Sequence, residues 1–341
     1  MKKSILNIFM YHRIQPTQAQ NSLSPERFSK HVRYLQRHFH LLSAKALRDW
    51  LAGDVRPGPC AVITFDDGWL DNWLYATPVL KAEKAQAILA LCTGFTHEGT
   101  CRNDLPDRLT DGDALARALC DQDYRSFLNT GELAAMLDSG AWNLQAHGHR
   151  HARHFLRLDD CSGRYPEYTD PSLHNALDGR EPPSGMPTGR LVSTLASRRR
   201  HVADTFLEAL HTGQTPDFQN GLETVEDEQA YRTRINNDLM ACIKTIHHIT
   251  GQYPDMLFWP WGEYSDTSIE VAQALGFRWS FSTAKGLVRP DRDGNTIPRI
   301  GASPRWNKFR RNAFTYRHPA CARFHQLVSP SPSGQIRDVE G

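Results

Sequence analysis

Two clusters of polar residues stand at the ends of short apolar stretches, and their residue types are those of hydrolytic metal chemistry. The first closes Ala61–Gly68, Ala-Val-Ile-Thr-Phe-Asp-Asp-Gly. The apolar run, with β-branched Val62, Ile63 and Thr64, predicts a strand buried on both faces. Two carboxylates at its end are costly to desolvate and require partners. Adjacent strand residues point to opposite faces, so Asp66 and Asp67 are expected to do different jobs. A plain Asp-Asp-Gly turn is the competing reading. The second cluster ends Trp142–His151, where His147, His149, His151 and, just beyond, His154 crowd into eight residues. Imidazole is the commonest protein ligand for zinc-like metals, and a carboxylate completes a set with open positions for water. A surface tract that binds metal adventitiously is the alternative.

Three stretches together resemble the polysaccharide deacetylases, the NodB-homology group also called carbohydrate esterase family 4. Thr64-Phe65-Asp66-Asp67-Gly68 is similar to their first motif and His147-Gly148-His149-Arg150-His151 to their second. Phe258-Trp259-Pro260-Trp261-Gly262-Glu263-Tyr264 resembles their third. Order and spacing match over roughly residues 5–305, and the Trp-Pro-Trp-Gly-Glu form resembles the branch containing poly-N-acetylglucosamine deacetylases. The resemblance implies an α/β fold, a distorted, incomplete (β/α) barrel of about seven parallel strands. It also implies that Asp66 is the general base and that Asp67, His147 and His151 hold one divalent metal. Zn2+ is the default for two imidazoles and a carboxylate, with iron, cobalt and nickel open. His149 and His154 are rival ligands.

Acetamide hydrolysis needs a nucleophile, a polarised carbonyl and a proton for the leaving amine, and a metal supplies the first two. Trp259, Pro260 and Trp261 are expected to wall a groove whose flat faces suit sugar rings, unless the tryptophans are core. Glu263 and Arg299 complete the expected substrate-binding set, with Tyr264 beside them; Glu263 and Tyr264 would otherwise cap the next helix. Two departures stand out. Many relatives carry an arginine two residues before the motif-three proline to hold the base; here that residue is Phe258, which makes Arg299 the candidate substitute. No Leu-x-His motif supplies a proton donor near the end, and His318 and His325 lie far toward the tail, so the donor is unassigned. His12, after the first strand, is either within reach of the site or structural.

The elements that must position these residues follow a βα alternation. Strands are expected at Ile5–Tyr11, in the Asp-Asp stretch, at Ala87–Thr93, before the histidines, and at Met256–Trp259, Phe277–Thr283 and Thr296–Ile300. Helices are expected at Pro25–Leu35, Lys45–Leu51, Asp71–Ala87, Asn129–Asp138 and Thr224–Thr250, and from Ser265 or Asp266 to Gly276. Ser24 is a candidate cap, and Asn129 with Glu132 has capping-box spacing. Gly94–Asp111 is expected as loop. An irregular insertion at about 155–222, with one helix over Leu191–Leu210, interrupts a catalytic domain spanning 1–305. Residues 306–341 are expected as a basic segment and a disordered tail. Each site segment follows a strand, and parallel barrels place their active sites at such strand ends.

The chain has 341 residues and a net charge of +2, which argues against nucleic acid as the main partner. Arg198-Arg199-Arg200-His201 reads as a solvated helix face, with contact to anionic lipid or substrate phosphate as the lesser view. Seven cysteines without Cys-x-x-Cys spacing suggest buried thiols in a reducing compartment. Ile5–Met10 is too short for a signal peptide, and no segment is apolar enough to span a bilayer. The expectation is therefore cytoplasmic, or peripheral to a membrane. The leading reading is a metal-dependent hydrolase removing an N-acetyl group from an amino sugar in a lipid-linked or nucleotide-linked precursor of a surface polysaccharide or lipopolysaccharide. The rivals are an amidohydrolase acting on a small non-sugar amide and a carbohydrate-binding protein without turnover.

Overall fold

The computed structural model describes residues 4–16, 23–54, 57–105, 111–158, 189–286, 288, 296–328 and 334–336. Its first five strands are β1 (Ile5–Tyr11), β2 (His40–Leu41), β3 (Pro59–Asp67), β4 (Ala87–Leu91) and β5 (Trp142–Ala146). An insertion contributes β6 (Arg153–Leu158), β7 (Gly189–Ser193), β8 (Arg200–Val202) and β9 (Leu222–Thr224). The main sheet then resumes with β10 (Met256–Phe258), β11 (Trp279–Phe281) and β12 (Ile300–Gly301). Seven of these run parallel in the order β11-β10-β5-β4-β3-β1-β12, with β2 alongside the start of β3. Ile297 bridges Phe281 in parallel, while Ile300 and Gly301 pair with Phe9 and Met10, so residues 297–301 join the two ends of the sheet. The architecture is the distorted (β/α) barrel expected.

Strand alternation sorts the core. Leu6, Ile8, Val62, Ile88, Ala90, Met256 and Phe258 pack into one cluster. These strands are not all neighbours, so their side chains meet across the barrel interior. Phe9, Tyr11, Ile63, Phe65 and Leu89 point outward with the helices Pro25–His38 and Trp306–Arg317. Leu257 and Trp259 point outward to the helices Glu228–Thr250 and Asp266–Ala274. Asp66 therefore shares the inner face with Val62 and Thr64. Polar caps start the helices where their spacing suggests: Ser24 accepts from the Arg27 N–H, and Asn129 and Glu132 form a reciprocal capping box.

Several elements differ from expectation. The segment after Asp71 is a π-turn, Asn72–Ala76, followed by a short helix, Thr77–Ala82; Pro78 sits in its first turn, where its missing N–H costs nothing. A helix at Asp111–Cys120 follows the loop after β4. Leu191–Leu210 is not one helix. It contains the end of β7 and all of β8, and only Asp204–His211 is helical. Much of the insertion expected at 155–222 falls on 159–188, outside the described residues. The Arg198–His201 cluster is a strand start, with Arg198 paired to Glu228 and the Arg200 guanidinium donating to the Leu156 carbonyl. Residues 306–328 form two helices, and Phe309, Ala313, Tyr316 and Ala322 are buried with β1, so this segment packs as part of the domain. Of the tail, Ile336 is buried against Val192 and Ala196. Among the described residues no helix is long and apolar enough to cross a membrane.

Candidate active site

β3, β5 and β10 empty into the same rim of the barrel. Asp66 arrives on the inner face and meets Arg299, which the closing segment supplies from the far end of the chain. The two groups pair through both carboxylate oxygens, at 2.7 and 2.8 Å, and Asp66 and Arg299 are both buried. The remaining guanidinium surface lies over the Phe258 ring, 4.9 Å from its centroid, and Nε donates to the Ser282 carbonyl. Phe258 occupies the position where the sequence resemblance led one to expect an arginine; the charge reaches the base from Arg299 and stacks on that phenylalanine. Burial alone would raise the Asp66 carboxyl. The Arg299 charge, with His147, the Arg299 hydrogen bonds and His12, outweighs it and holds Asp66 below the usual carboxylate range. Arg299 has no surface left for substrate, so its place is behind Asp66 rather than in a substrate-binding set.

Asp67 would point outward by alternation. Its φ of +74° ends the strand in the left-handed region and turns the carboxylate to the rim, at a cost of about 1–2 kcal/mol. Gly68 follows with φ +91°, and a Cβ there would lie 2.6 Å from Leu91. One oxygen of Asp67 accepts from the Trp69 indole N–H at 2.9 Å. Trp69 is itself held between Phe127 and Arg13, whose Nε is clamped by buried Asp71.

The other oxygen, Oδ1, is buried with no hydrogen-bond partner. It lies 3.2 Å from His147 Nε2 and 3.5 Å from His151 Nε2. His147 Nδ1 is 2.8 Å from the Phe258 carbonyl, which can only accept, so Nδ1 carries the proton and Nε2 presents a lone pair. Acceptors thus face acceptors across a buried gap, which calls for a cation. Burial pushes His147 down, but the charges of Asp66 and Asp67 outweigh it and raise its pKa. Burial holds His151 down to about 4, neutral as a ligand must be. Among the described residues this is the one group of three His, Cys, Asp or Glu side chains whose ligand atoms lie within 4.8 Å of one another. The donor set fits a divalent metal.

His147 and His151 converge through a turn at Gly148, φ +75°, rather than a helix. Asp238, on the Glu228–Thr250 helix, accepts the backbone N–H groups of His149 and Arg150 at 2.8 and 3.0 Å and so fixes that turn. Asp238→Ala is expected to weaken metal retention roughly ten- to hundredfold in chelator competition, with the barrel still folded; unchanged affinity would show that the turn holds itself. The rival histidines serve elsewhere. His149 Nδ1 meets Thr93 Oγ1 at 2.9 Å, and His154 Nε2 meets Ser197 Oγ at 3.1 Å in the insertion.

Motif three divides differently from expectation. Trp259 is fully buried among the outer helices and Pro260 is buried too, so neither walls an open groove. Trp261, partly exposed, does stand at the rim: its ring centroid is 4.6 Å from that of His151, and the Arg153 guanidinium lies over the Trp261 ring, 4.4 Å from its centroid. Glu263 accepts the Ser193 backbone N–H at 2.8 Å and ties β7 to this motif instead of facing a sugar. The next helix is capped by Ser265. His12, the residue after β1, is exposed. His318 and His325 contact Phe314 and Tyr316 on the last two helices.

Residues 53–178 match the polysaccharide deacetylase family, a stretch that begins just before β3 and takes in both the aspartate pair and the histidines. YxkH of Bacillus subtilis, named for polysaccharide deacetylation, is 38% identical over 84 residues, which cover 24% of this chain and only 29% of that protein. IcaB from Ammonifex degensii shares the fold at a TM-score of 0.58 and 16% identity, over 92% of this chain and 97% of that one. A de-N-acetylase from Aggregatibacter actinomycetemcomitans does so at 0.60 and 14%, over 90% and 99%. The family match thus runs through the aspartates and histidines gathered at this barrel rim, and the chain is similar to the polysaccharide deacetylases over that stretch.

Proposed function

We propose that this protein is a metal-dependent hydrolase that removes an N-acetyl group from an amino sugar, in a lipid-linked or nucleotide-linked precursor of a surface polysaccharide or lipopolysaccharide. The observation that carries the reading is the buried, unpartnered Oδ1 of Asp67 facing two imidazole Nε2 atoms, beside an aspartate held ionised by a buried arginine. The names of two similar structures, a de-N-acetylase from Aggregatibacter actinomycetemcomitans and the BpsB deacetylase domain from Bordetella bronchiseptica, support the substrate class.

Asp67, His147 and His151 would hold the metal, which supplies acidification of water and polarisation of the amide carbonyl when bound. Asp66 takes the proton from the attacking water. Arg299 keeps Asp66 charged and fixes its orientation, so the base is ready without reorganisation. His12, exposed just past β1, is the residue proposed to give a proton to the leaving amine. Trp261 offers a ring face to the sugar. Two gaps favoured a binding protein without turnover, the missing arginine and the missing acid; the Arg299 pair with Asp66 supports filling the first, and His12 is proposed for the second. We also propose a reducing, cytoplasmic setting, in keeping with free thiols at Cys60, Cys92, Cys101, Cys242 and Cys321.

The test is acetate release from N-acetylated sugars, free, nucleotide-linked and lipid-linked, by protein stripped with chelator and reloaded with zinc, iron, cobalt or nickel. Acetate is expected only from reloaded protein. No release from any acetylated sugar, with release from formamides or cyclic amides, would transfer the reading to a non-sugar amidohydrolase.

A further inference from the structure

The last two helices, Trp306–Arg317 and Pro319–Val328, carry an outer surface that the barrel does not use. Phe309, Ala313, Tyr316 and Ala322 fix their inner sides in the core. Helical spacing sets Arg310, Arg311 and Phe314 on the opposite side of the first helix, and Arg323, Phe324 and Leu327 together on the second. Phe314, Phe324 and Leu327 are 55%, 67% and 81% exposed, and they are three of the five exposed large hydrophobics among the described residues. Apolar side chains gathered in this way mark a surface that something else covers.

The charge around them says what. From Ala302 to Ile336 the sequence holds Arg305, Lys308, Arg310, Arg311, Arg317 and Arg323 and no Asp or Glu. Of the chain's 40 basic and 38 acidic residues, 34 and 38 remain elsewhere, so the near-neutral whole is a basic end on an acidic body. None of Arg305, Lys308, Arg311 and Arg323 is ion-paired among the described residues. Arg310 lies 5.8 Å from the Trp306 ring centroid, and Arg317 meets His38.

We propose that this helix pair docks on an anionic lipid bilayer. A nucleic acid would match the cations but has no place for three exposed apolar side chains. The headgroup region takes both, apolar groups at the acyl boundary and cations at the lipid phosphates. The proposal stands apart from the reading of the catalytic site and would hold if that site acted on another amide.

The experiment is cosedimentation of the full chain with vesicles of phosphatidylcholine alone and of phosphatidylcholine containing phosphatidylglycerol. Binding is expected to the second and not the first, and to weaken as salt rises. Removing one cation is expected to lower partitioning about fivefold, so Arg310→Gln/Arg311→Gln lowers it roughly 25-fold. Phe314→Ser/Phe324→Ser is expected to weaken binding at low and high salt alike. All four side chains are exposed, so melting temperatures should match wild type, which separates lost docking from misfolding. Equal binding to both vesicle types, or binding indifferent to these variants, would overturn the proposal. So would a lipid-free dimer that Phe314→Ser/Phe324→Ser dissociates, since it would give the surface to a second copy of the chain.

Discussion

Arg299→Met is expected to lower the free energy of unfolding at neutral pH by about 3–5 kcal/mol and to cut turnover by roughly a hundredfold or more. The cause is Asp66. Its carboxylate is buried, and Arg299 is the group that meets both of its oxygens. Without that charge, burial dominates and the Asp66 pKa rises above its ordinary value, so much of the base would be protonated. The stability loss has a definite sign with pH. In wild type the folded-state pKa of Asp66 is depressed. It therefore contributes stability above the unfolded pKa, and that contribution is lost as pH falls through the folded pKa. In the variant the shift reverses, and the buried carboxylate destabilises the fold most at neutral pH and least when protonated. The gap between the two proteins should thus narrow on acidification, as read by urea unfolding at about pH 7.5 and about pH 4.5. Pairing the change with Asp66→Asn should return much of the stability, because no bare charge remains, while activity stays lost. A double variant no more stable than Arg299→Met would mean that the arginine acts chiefly by filling space.

The second large effect is expected from His147→Ala. The wild type should hold about one tightly bound metal per chain, and the variant should lose it. Turnover should then fall by on the order of a thousandfold, since polarisation of the carbonyl and acidification of water are worth several kcal/mol. A readout independent of activity comes from thermal melts with and without chelator: wild type should drop on chelation, and His147→Ala should not respond. Truncation also leaves the Phe258 carbonyl without its donor, at about 1–3 kcal/mol, so the variant is expected to melt lower from the outset. His149→Ala is the matched control, because that ring is engaged with Thr93 and should leave metal content unchanged. An ion kept by His147→Ala, or lost by His149→Ala, would redraw the ligand set.

What could be read from the sequence follows from how local each signal is. The strand of the aspartate pair was legible because an apolar run ending in two acids has few solutions. That Asp66 and Asp67 address different partners followed from alternation, although the left-handed φ that aims Asp67 at the histidines did not. The convergence of Asp67, His147 and His151 was implied by the family resemblance, while the residues themselves left His149 and His154 as rivals. The substitution of Arg299 for an arginine at 258 could be guessed because a missing charge needs a replacement, but its stacking on Phe258 could not. Trp259 was misread because an aromatic next to a motif proline looks like a sugar platform; the alternation that puts Phe258 inside sends Trp259 out to the helices. β7 and β8 lie within a segment rich in helix formers, and strands of five and three residues are set by their partners β6 and β9 rather than by propensity. Asp238 gave no signal at all, since an acid in a long helix looks like a solvated one until the turn it caps is known.

The closing segment has a consequence for how the protein is made. The residues that could perform the chemistry are present once the chain has been synthesised through the third motif, but Ile297, Arg299 and Ile300 come later. Until they leave the ribosome, β1 and β11 are open edges, and Asp66 lacks the guanidinium that meets both of its oxygens. A nascent chain in that state gains little from closing the interior around a bare carboxylate. Docking of 297–301 joins the sheet and neutralises Asp66 in one event, so a closed barrel and an ionised base arrive together. A partly made chain is thereby kept from becoming a hydrolase ahead of its time.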